Sequence, residues 1–504
     1  MNDNNKIIKN TGILFIRLLI SSIFNLLSAR IVLNNLGLRD FGLYGVVGSI
    51  VIIINILNPV MMSTSFRYIA FEMGKGSIGN VNKIFNISLV LHVCLAILVV
   101  FFSEIFGAYY INNYLNIPVY KIDDALFVFR FSVYAVIFSI LSIPFQGLVI
   151  AKEKFIISST IEIVAAFLKF ISAVILIYYT GDKLRLYASV MIFTTFTPSI
   201  LYYLFCNKNY SSIIKWKFVY DIKKYREMLE FSGWMIFGAT ASIGKIQGAA
   251  LIINIFFGTI LNASFSIANQ LNNFVIMFAR NISQASIPQI TKSYSEGNTD
   301  RTIEIVSYVS KYSFLLMLLM AVPILLETDF ILYLWLGKTP NYTSVFCRLM
   351  IINALIDTLG AGIPAAVHAT GRIKYFQIIL SLVSLISIPV AYLLFIHGGK
   401  PYTIILVYII SSLISLIFQQ ILLKKLIHFK MWEFIKTSYS RIFYIILFIF
   451  PLIMIQILYE ESFKRFLITT FISIFWVLSA IYFVGVDKKE KSFIIKLFKN
   501  SISY

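Results

Sequence analysis

Apolar residues run through this chain in long blocks separated by short polar connections. Fourteen blocks occur, at 10–36, 41–70, 82–108, 122–150, 156–179, 185–206, 228–258, 262–291, 302–326, 342–369, 374–397, 401–423, 437–459 and 465–485. An α-helix needs about 20 apolar residues to cross a bilayer. Lipid offers the backbone no hydrogen-bond partners, so helices are the expected form. A membrane β-barrel would need short alternating segments, and the blocks do not alternate. The pattern therefore predicts an all-α polytopic membrane protein with about fourteen transmembrane helices. The first block is too long for a cleaved signal peptide, carries Arg17 and Arg30, and lacks an A-x-A-like site.

Composition strengthens this reading. Of 504 residues, 59% are apolar and 13% charged, against about 45–50% and about 25% in soluble proteins. A soluble globule with that balance could not cover its surface, and the same figures exclude disorder. Cys94, Cys206 and Cys347 lie far apart inside apolar blocks and read as small core residues.

The basic residues set an orientation. Alternate connections hold Lys75 and Lys83, Lys152 and Lys154, a group from Lys208 to Arg226, Lys292 and Arg301, Arg372 and Lys374, and a group from Lys424 to Lys436. Both ends of the chain, with Lys6 and Lys9 and then Lys488 to Lys499, belong to this basic set. The opposite connections hold only Arg39, Lys121, Lys183, Arg185, Lys338, Lys400, Lys464 and Arg465. Basic connections mark the cytoplasmic side, so both termini are expected in the cytoplasm, with basic loops against anionic headgroups. This accounts for most of the net charge of +20. The bases form no single face, which argues against a nucleic-acid partner.

The halves resemble each other at a shift of about 220 residues. Ala29–Val47 matches Gly248–Ala268, pairing Gly37 with Gly258 and Tyr44 with Phe265. Gly76 pairs with Gly297 in the next connection, and further on Pro144 meets Pro364, Lys154 meets Lys374 and Phe155 meets Tyr375. The shift equals six blocks, and an even number keeps both halves in the same orientation. The expected plan is a six-helix lobe over 1–206, a basic linker at 207–227, a second six-helix lobe over 228–425, and two extra helices with a basic tail over 426–504. Two parallel lobes with a site between them form a transporter layout.

Enzymatic chemistry finds little support. No GxxxxGK(S/T) nucleotide loop is present, and Gly74, Gly76 and Gly79 form a GxGxxG string only in a short connection without a preceding strand. His92, His368, His397 and His428 are scattered without ligand spacing. The acidic pairs Asp123–Asp124 and Glu460–Glu461 read as solvated loop residues. No cofactor, metal or catalytic group is expected.

Charges inside the membrane are costly and mark function by default. The central ones are Lys169, Lys245, Arg280 and Asp357; Arg67, Arg348, Lys311 and Glu104 lie nearer the block ends, where they can snorkel. Glu162 and Lys169 are two turns apart on one helix face and could neutralise each other. At 100° per residue, Arg17, Ser21, Ser28 and Asn35 share a stripe on span 1, and Asn269, Asn273, Arg280 and Gln284 share one on span 8. Such stripes line cavities or glue helices together. Gly244 and Gly248 give span 7 a GxxxG spacing, which favours close packing and also lets the helix bend near Lys245 and Gln247. A cationic cavity of Arg17, Arg30, Arg130, Lys245 and Arg280, lined by Ser21, Gln247, Asn269, Asn273 and Gln284, suits a phosphate-bearing substrate. Asp357 and Glu162 are the candidates for ion coupling, each with neutralisation of a nearby base as the plainer role.

The sequence resembles the polysaccharide (O-antigen, Wzx-type) flippases of the multidrug/oligosaccharidyl-lipid/polysaccharide exporter superfamily over essentially its full length. The resemblance is carried by Arg30, Leu33, Leu36, Gly37, Asp40, Phe41, Gly42 and Tyr44, by Gln247, Gly248, Asn254, Phe256, Phe257, Gly258, Asn262 and Ala263, and by IPQITKSYSEGN at Ile287 to Asn298. It implies two six-helix lobes opening alternately to each side of a bacterial inner membrane. It also implies undecaprenyl-pyrophosphate-linked oligosaccharide as the substrate, flipped outward for surface polysaccharide synthesis with an ion gradient or the membrane potential as driving force. Polysaccharide polymerase and chain-length machinery are the partners it suggests, beside membrane lipids. A lipid II flippase, then a multidrug cation antiporter, are the competing readings.

Overall fold

The computed structural model describes residues 3–113, 117–337, 339–427, 431–434, 439–454, 461–486 and 490. Helices dominate, in the order α1 (Asp3–Asn55), α2 (Leu57–Gly74), α3 (Ile78–Phe102), α4 (Ala108–Asn113), α5 (Ile122–Ala151), α6 (Phe155–Tyr178), α7 (Lys183–Met191), α8 (Phe193–Ile214) and α9 (Ile222–Ser295). They continue with α10 (Thr299–Leu326), α11 (Thr328–Leu336), α12 (Thr343–Leu359), α13 (Ile363–Thr370), α14 (Lys374–Ile396), α15 (Thr403–Leu426), α16 (Met431–Phe434), α17 (Ser440–Ile449) and α18 (Phe463–Ala480). No strand occurs among the described residues. The protein is an all-α, multi-pass membrane protein.

Helix starts follow local chemistry. Ser77, Asp182, Asp221, Asn298 and Ser462 each accept a hydrogen bond from the backbone N–H three residues on, satisfying a donor the helix leaves open.

At 74 residues α9 would be about 110 Å long if straight. Yet the Tyr68 hydroxyl on α2 donates to the Glu227 carbonyl at 3.1 Å, and the Phe71 ring, one turn along, lies 6.5 Å from the Tyr294 ring. Both ends of α9 therefore meet one turn of α2, and α9 is a helical hairpin. It breaks at Gly258 (φ 79°, ψ −176°), a conformation open essentially to glycine alone. α1 breaks in the same way at Gly37 (φ 73°, ψ 168°).

Among the described residues ten helices are long and apolar enough to cross a membrane, or eleven with the pair α12–α13, bent by 46°. The difference from fourteen has three physical sources. The α9 hairpin holds two apolar blocks, one in each arm on either side of Gly258, and counts once. Block 41–70 is divided between α1 and α2. Block 437–459 supplies only a short apolar helix, Ser440–Leu452, and 455–460 lie outside the described residues. The repeat is visible in the elements: α3 and α10 start at 78 and 299, α5 and α12 at 122 and 343, and α7 and α15 at 183 and 403.

The chain forms two compact units. Unit 1 holds 1–239 and 291–297, and unit 2 holds 240–290 and 298–504. Both ends of α9 pack on α2 and so fall in unit 1.

Unit 1 is centred on Val32, Leu36, Val133, Ile140, Leu176 and Tyr187. Lipid tails are as apolar as leucine, so close fit and small polar contacts carry helix association. Ser65 and Ser88 share a hydrogen bond of 2.7 Å, Thr64 and Ser232 one of 2.9 Å, and Asn58 donates to Ser139 at 3.1 Å.

Unit 2 is centred on Ile253, Phe265, Phe346 and Ile404. A further cluster of Phe314, Leu315, Ile445 and Val477 packs α17 and α18 onto α10.

Candidate functional site

In unit 1 the polar stripe on span 1 forms a seam with α6 and α7. Arg17 Nη1 donates to Glu162 Oε2 at 2.7 Å. Lys169 Nζ donates to Asn25 Oδ1 at 3.0 Å, and Lys183 Nζ donates to Asn35 Oδ1 at 3.2 Å. Ser28 is fully buried, and Ser21 is half-buried. Glu162 thus pairs with Arg17 rather than with Lys169. Arg30 is exposed on a face it shares with Ile16, Leu19, Ile23 and Leu26, and it makes no ion pair among the described residues.

Arg130 is held elsewhere in unit 1. Its guanidinium grips Glu104 at 3.0–3.2 Å through two nitrogens. Glu104 lies in a π-helical turn, Ser103–Gly107; such insertions recur at functional sites.

In unit 2 the second arm of α9 presents the clearest polar face. Its exposed positions include Ser266, Gln270, Asn273, Met277 and Arg280, at successive three- and four-residue steps. Asn269 is half-buried and donates to the Phe265 carbonyl, and Gln284 is half-buried. Asn273 and Arg280 of the expected stripe are therefore exposed, Asn269 and Gln284 lie at its half-buried edge, and Ser266 and Gln270 extend it. An arginine facing lipid at mid-span costs roughly 2.5–3.5 kcal/mol on the insertion scale. A face carrying Gln270, Asn273 and Arg280 thus belongs beside water. Arg280 makes no ion pair among the described residues, so its guanidinium is free for an anion.

A second group surrounds Lys245 in the first arm of α9. The Lys245 ammonium lies 4.0 Å from the Tyr408 ring centroid, and the Tyr408 hydroxyl donates to the Lys245 carbonyl at 2.9 Å. Asp357 on α12 accepts from Asn353 at 3.2 Å and from the Ser412 hydroxyl, and Lys245 is the cation whose charge acts on it. Asp357 and Gln247 are exposed. The GxxxG residues meet α14: a Cβ on Gly248 would lie 2.7 Å from Ile388 Cδ1, and one on Gly244 would lie 3.5 Å from Leu385.

The remaining membrane charges have structural partners. Lys311 is buried and donates to both oxygens of Glu490 at 3.0 and 2.8 Å. Arg67 is buried over the rings of Tyr68, Phe71 and Phe231. Arg348 pairs with Asp329 at 2.7 Å.

Sequence spacing missed Tyr408 and Ser412, which lie on another helix from the charges they touch. Among the described residues no three His, Cys, Asp or Glu come together as metal ligands. A cavity of about 250 Å³ in unit 1 is bordered by Glu72, Asn80, Lys83, Asp221, Lys223, Lys224 and Glu227. Its acids and bases are largely paired, Lys83 with Asp221 at 2.7 Å and Lys224 with Glu227 at 2.9 Å.

Residues 249–393 match the MatE family. The whole fold is that of MATE transporters. A MATE transporter in its bent conformation superposes with a TM-score of 0.75 at 14% identity, over 84% of this chain and 96% of its own. An outward-facing multidrug resistance MATE transporter of the MOP superfamily gives 0.74 at 15% identity, over 87% and 98%. A MOP superfamily transporter from Pyrococcus furiosus, described as having a binding pocket of reverse polarity, gives 0.71 at 14%, over 84% and 97%. No curated protein matches the chain in sequence.

Proposed function

We propose that this protein is a transporter of the MOP superfamily that flips an undecaprenyl-pyrophosphate-linked oligosaccharide from the cytoplasmic to the outer leaflet of a bacterial inner membrane. The observation that carries the reading is the wet face of α9 with Arg280 unpaired on it. A guanidinium holds a phosphate through two parallel hydrogen bonds, while Ser266, Gln270 and Asn273 offer a sugar the mixed donors and acceptors it needs. Lys245 adds a second cation in the same unit. Arg17 and Arg130 already bind carboxylates, so in this proposal they contribute only when those pairs open.

Asp357 is the coupling group. It is an exposed acid held by Asn353 and Ser412 beside Lys245, so gaining or losing a proton changes the charge of that cluster by one. Glu162 plays the corresponding part in unit 1 through its pair with Arg17. Surface-polysaccharide polymerase and chain-length machinery would consume the flipped product. Both termini lie in the cytoplasm in this reading.

The test is mass spectrometry of lipids from a deletion strain. Accumulated undecaprenyl-pyrophosphate oligosaccharide, with surface polymer lost and the cell viable, supports the proposal. Accumulated lipid II with lysis moves the substrate to the peptidoglycan precursor. Unchanged lipids with intact polymer favour the second reading, multidrug cation export, for which the exposed Asp357 would be the binding acid.

A further inference from the structure

We infer that residues 215–221, between α8 and α9, form a fixed strap that binds the anionic phospholipids of the leaflet on its side of the membrane. The strap is non-helical, with Lys215 at φ −54°, ψ 121° and Asp221 at φ −140°, ψ 80° at its ends. It is also tied down. Asn82 Nδ2 donates to the carbonyls of Ile213 and Lys215 at 2.7 and 2.9 Å, and Asn86 Nδ2 donates to Lys215 O at 3.1 Å. In return the Lys217 N–H donates to Asn86 Oδ1 at 3.2 Å.

The anchoring fixes its depth. Asn82 and Asn86 lie in the first turns of α3, itself long and apolar enough to span. α8 ends at Ile214 and α9 begins at Ile222, both in candidate spans, so the strap joins two spans at their membrane-proximal ends.

Its side chains suit that layer. Trp216, Phe218 and Tyr220 alternate along the strap and are 59%, 66% and 82% exposed. The three stand at alternate positions of the strap, and Lys217 between the first two is exposed as well. None stacks on another ring among the described residues. Indole and phenol rings are favoured at the headgroup level. Around them Lys208, Lys215, Lys217, Lys223 and Arg226 are exposed and without an ion pair among the described residues, while Asp221 is engaged by Lys83. Five exposed cations without an ion pair among the described residues, against one exposed acid, Glu230, select a negatively charged headgroup.

The test uses the full-length protein with Trp234, Trp335, Trp432 and Trp476 changed to Phe, leaving Trp216 as the reporter. It is placed in nanodiscs of phosphatidylcholine alone or mixed equally with phosphatidylglycerol. Expected are blue-shifted emission, quenching by lipids brominated near the carbonyl end of the chain, and weak quenching by acrylamide. Native mass spectrometry of the mixed discs should show retained phosphatidylglycerol falling at least about threefold in a Lys215→Gln/Lys217→Gln/Lys223→Gln variant. Red-shifted emission quenched by acrylamide would overturn the inference, as would Trp216 shielded from both quenchers, which marks a protein occupant. Bromolipid quenching without any lysine dependence of phosphatidylglycerol retention would overturn the anionic selectivity.

Discussion

Gly258 repeats Gly37 after 221 positions, in nearly the same backbone conformation: φ 79°, ψ −176° against φ 73°, ψ 168°. An added Cβ at either position would meet nothing within 4 Å, so the glycine is required by the backbone and not by space. Gly258→Ala should destabilise the protein by about 1–3 kcal/mol. Gly233→Ala is the control. Its Cβ also meets nothing within 4 Å, it lies inside a regular arm of α9, and it should be neutral or stabilising by up to about 1 kcal/mol. Thermal unfolding in detergent measures both. Equal effects would remove the argument from backbone geometry.

Gly74 is tight for the opposite reason. A Cβ there would collide with Ser295 Oγ and sit 3.0 Å from the Lys292 carbonyl. Beside this contact Lys292 pairs with Glu153 at 2.7 Å. The serine hydroxyl can rotate away from one methyl group, but the carbonyl cannot. Gly74→Ala should therefore be mild and Gly74→Val should cost about 1–3 kcal/mol. A melting temperature unchanged in the valine variant would mean that the two segments can separate freely.

Much of the fold is legible in the sequence because span length leaves a long apolar signature that a break does not erase. The break at Gly258 divides two apolar blocks, and the matching glycine at 37 makes it readable as part of a repeat. Partner choice is less legible. Helical spacing places Glu162 and Lys169 on one face, but only the neighbouring helix decides that Arg17 and Asn25 meet them. The same limit applies at one position of the span 8 stripe: Asn269 and Gln270 differ by 100°, and packing against α12 through Phe265 and Phe346 settles which is exposed. Tyr408 could not be read as the partner of Lys245, since 163 residues separate them.

Asp221 ties pH to stability outside the membrane. Its carboxylate accepts from Lys83 and from the Lys224 backbone N–H, and these hold its pKa below the usual carboxylate value. A carboxylate with a lowered folded pKa stabilises the fold fully above its unfolded pKa, about 3.9. That stabilisation is lost as pH falls through the lower folded value. Asp221→Asn should therefore lower the unfolding temperature at neutral pH, and the gap to the parent protein should close in acid. A gap of constant size down to the acid limit would show that capping geometry and not charge is at work.

Glu327 and Arg465 test how the C-terminal helices are held. Glu327 lies at the junction of α10 and α11 with its side chain fully buried, Arg465 opens α18 with its side chain 8% exposed, and Nη2 meets Oε2 at 3.0 Å. Burying two charges is costly, and their attraction only roughly repays it. Breaking such a pair is another matter, since it strands one charge at a cost of about 3–5 kcal/mol. Glu327→Gln keeps the shape and removes the charge, and should show most of that loss. Arg465→Met should do the same from the other side. The double variant Glu327→Gln/Arg465→Met removes both charges and should recover much of the stability lost in either single change. Glu461 also reaches Arg465, at 3.6 Å, but is exposed and offers it little compensation. A double-mutant cycle on thermal unfolding separates the cases. Additive losses would mean that the charges act independently. Strong recovery would mean that α18 is fixed to α10 chiefly by apolar packing of Phe314, Leu315 and Val477, with the ion pair setting its register.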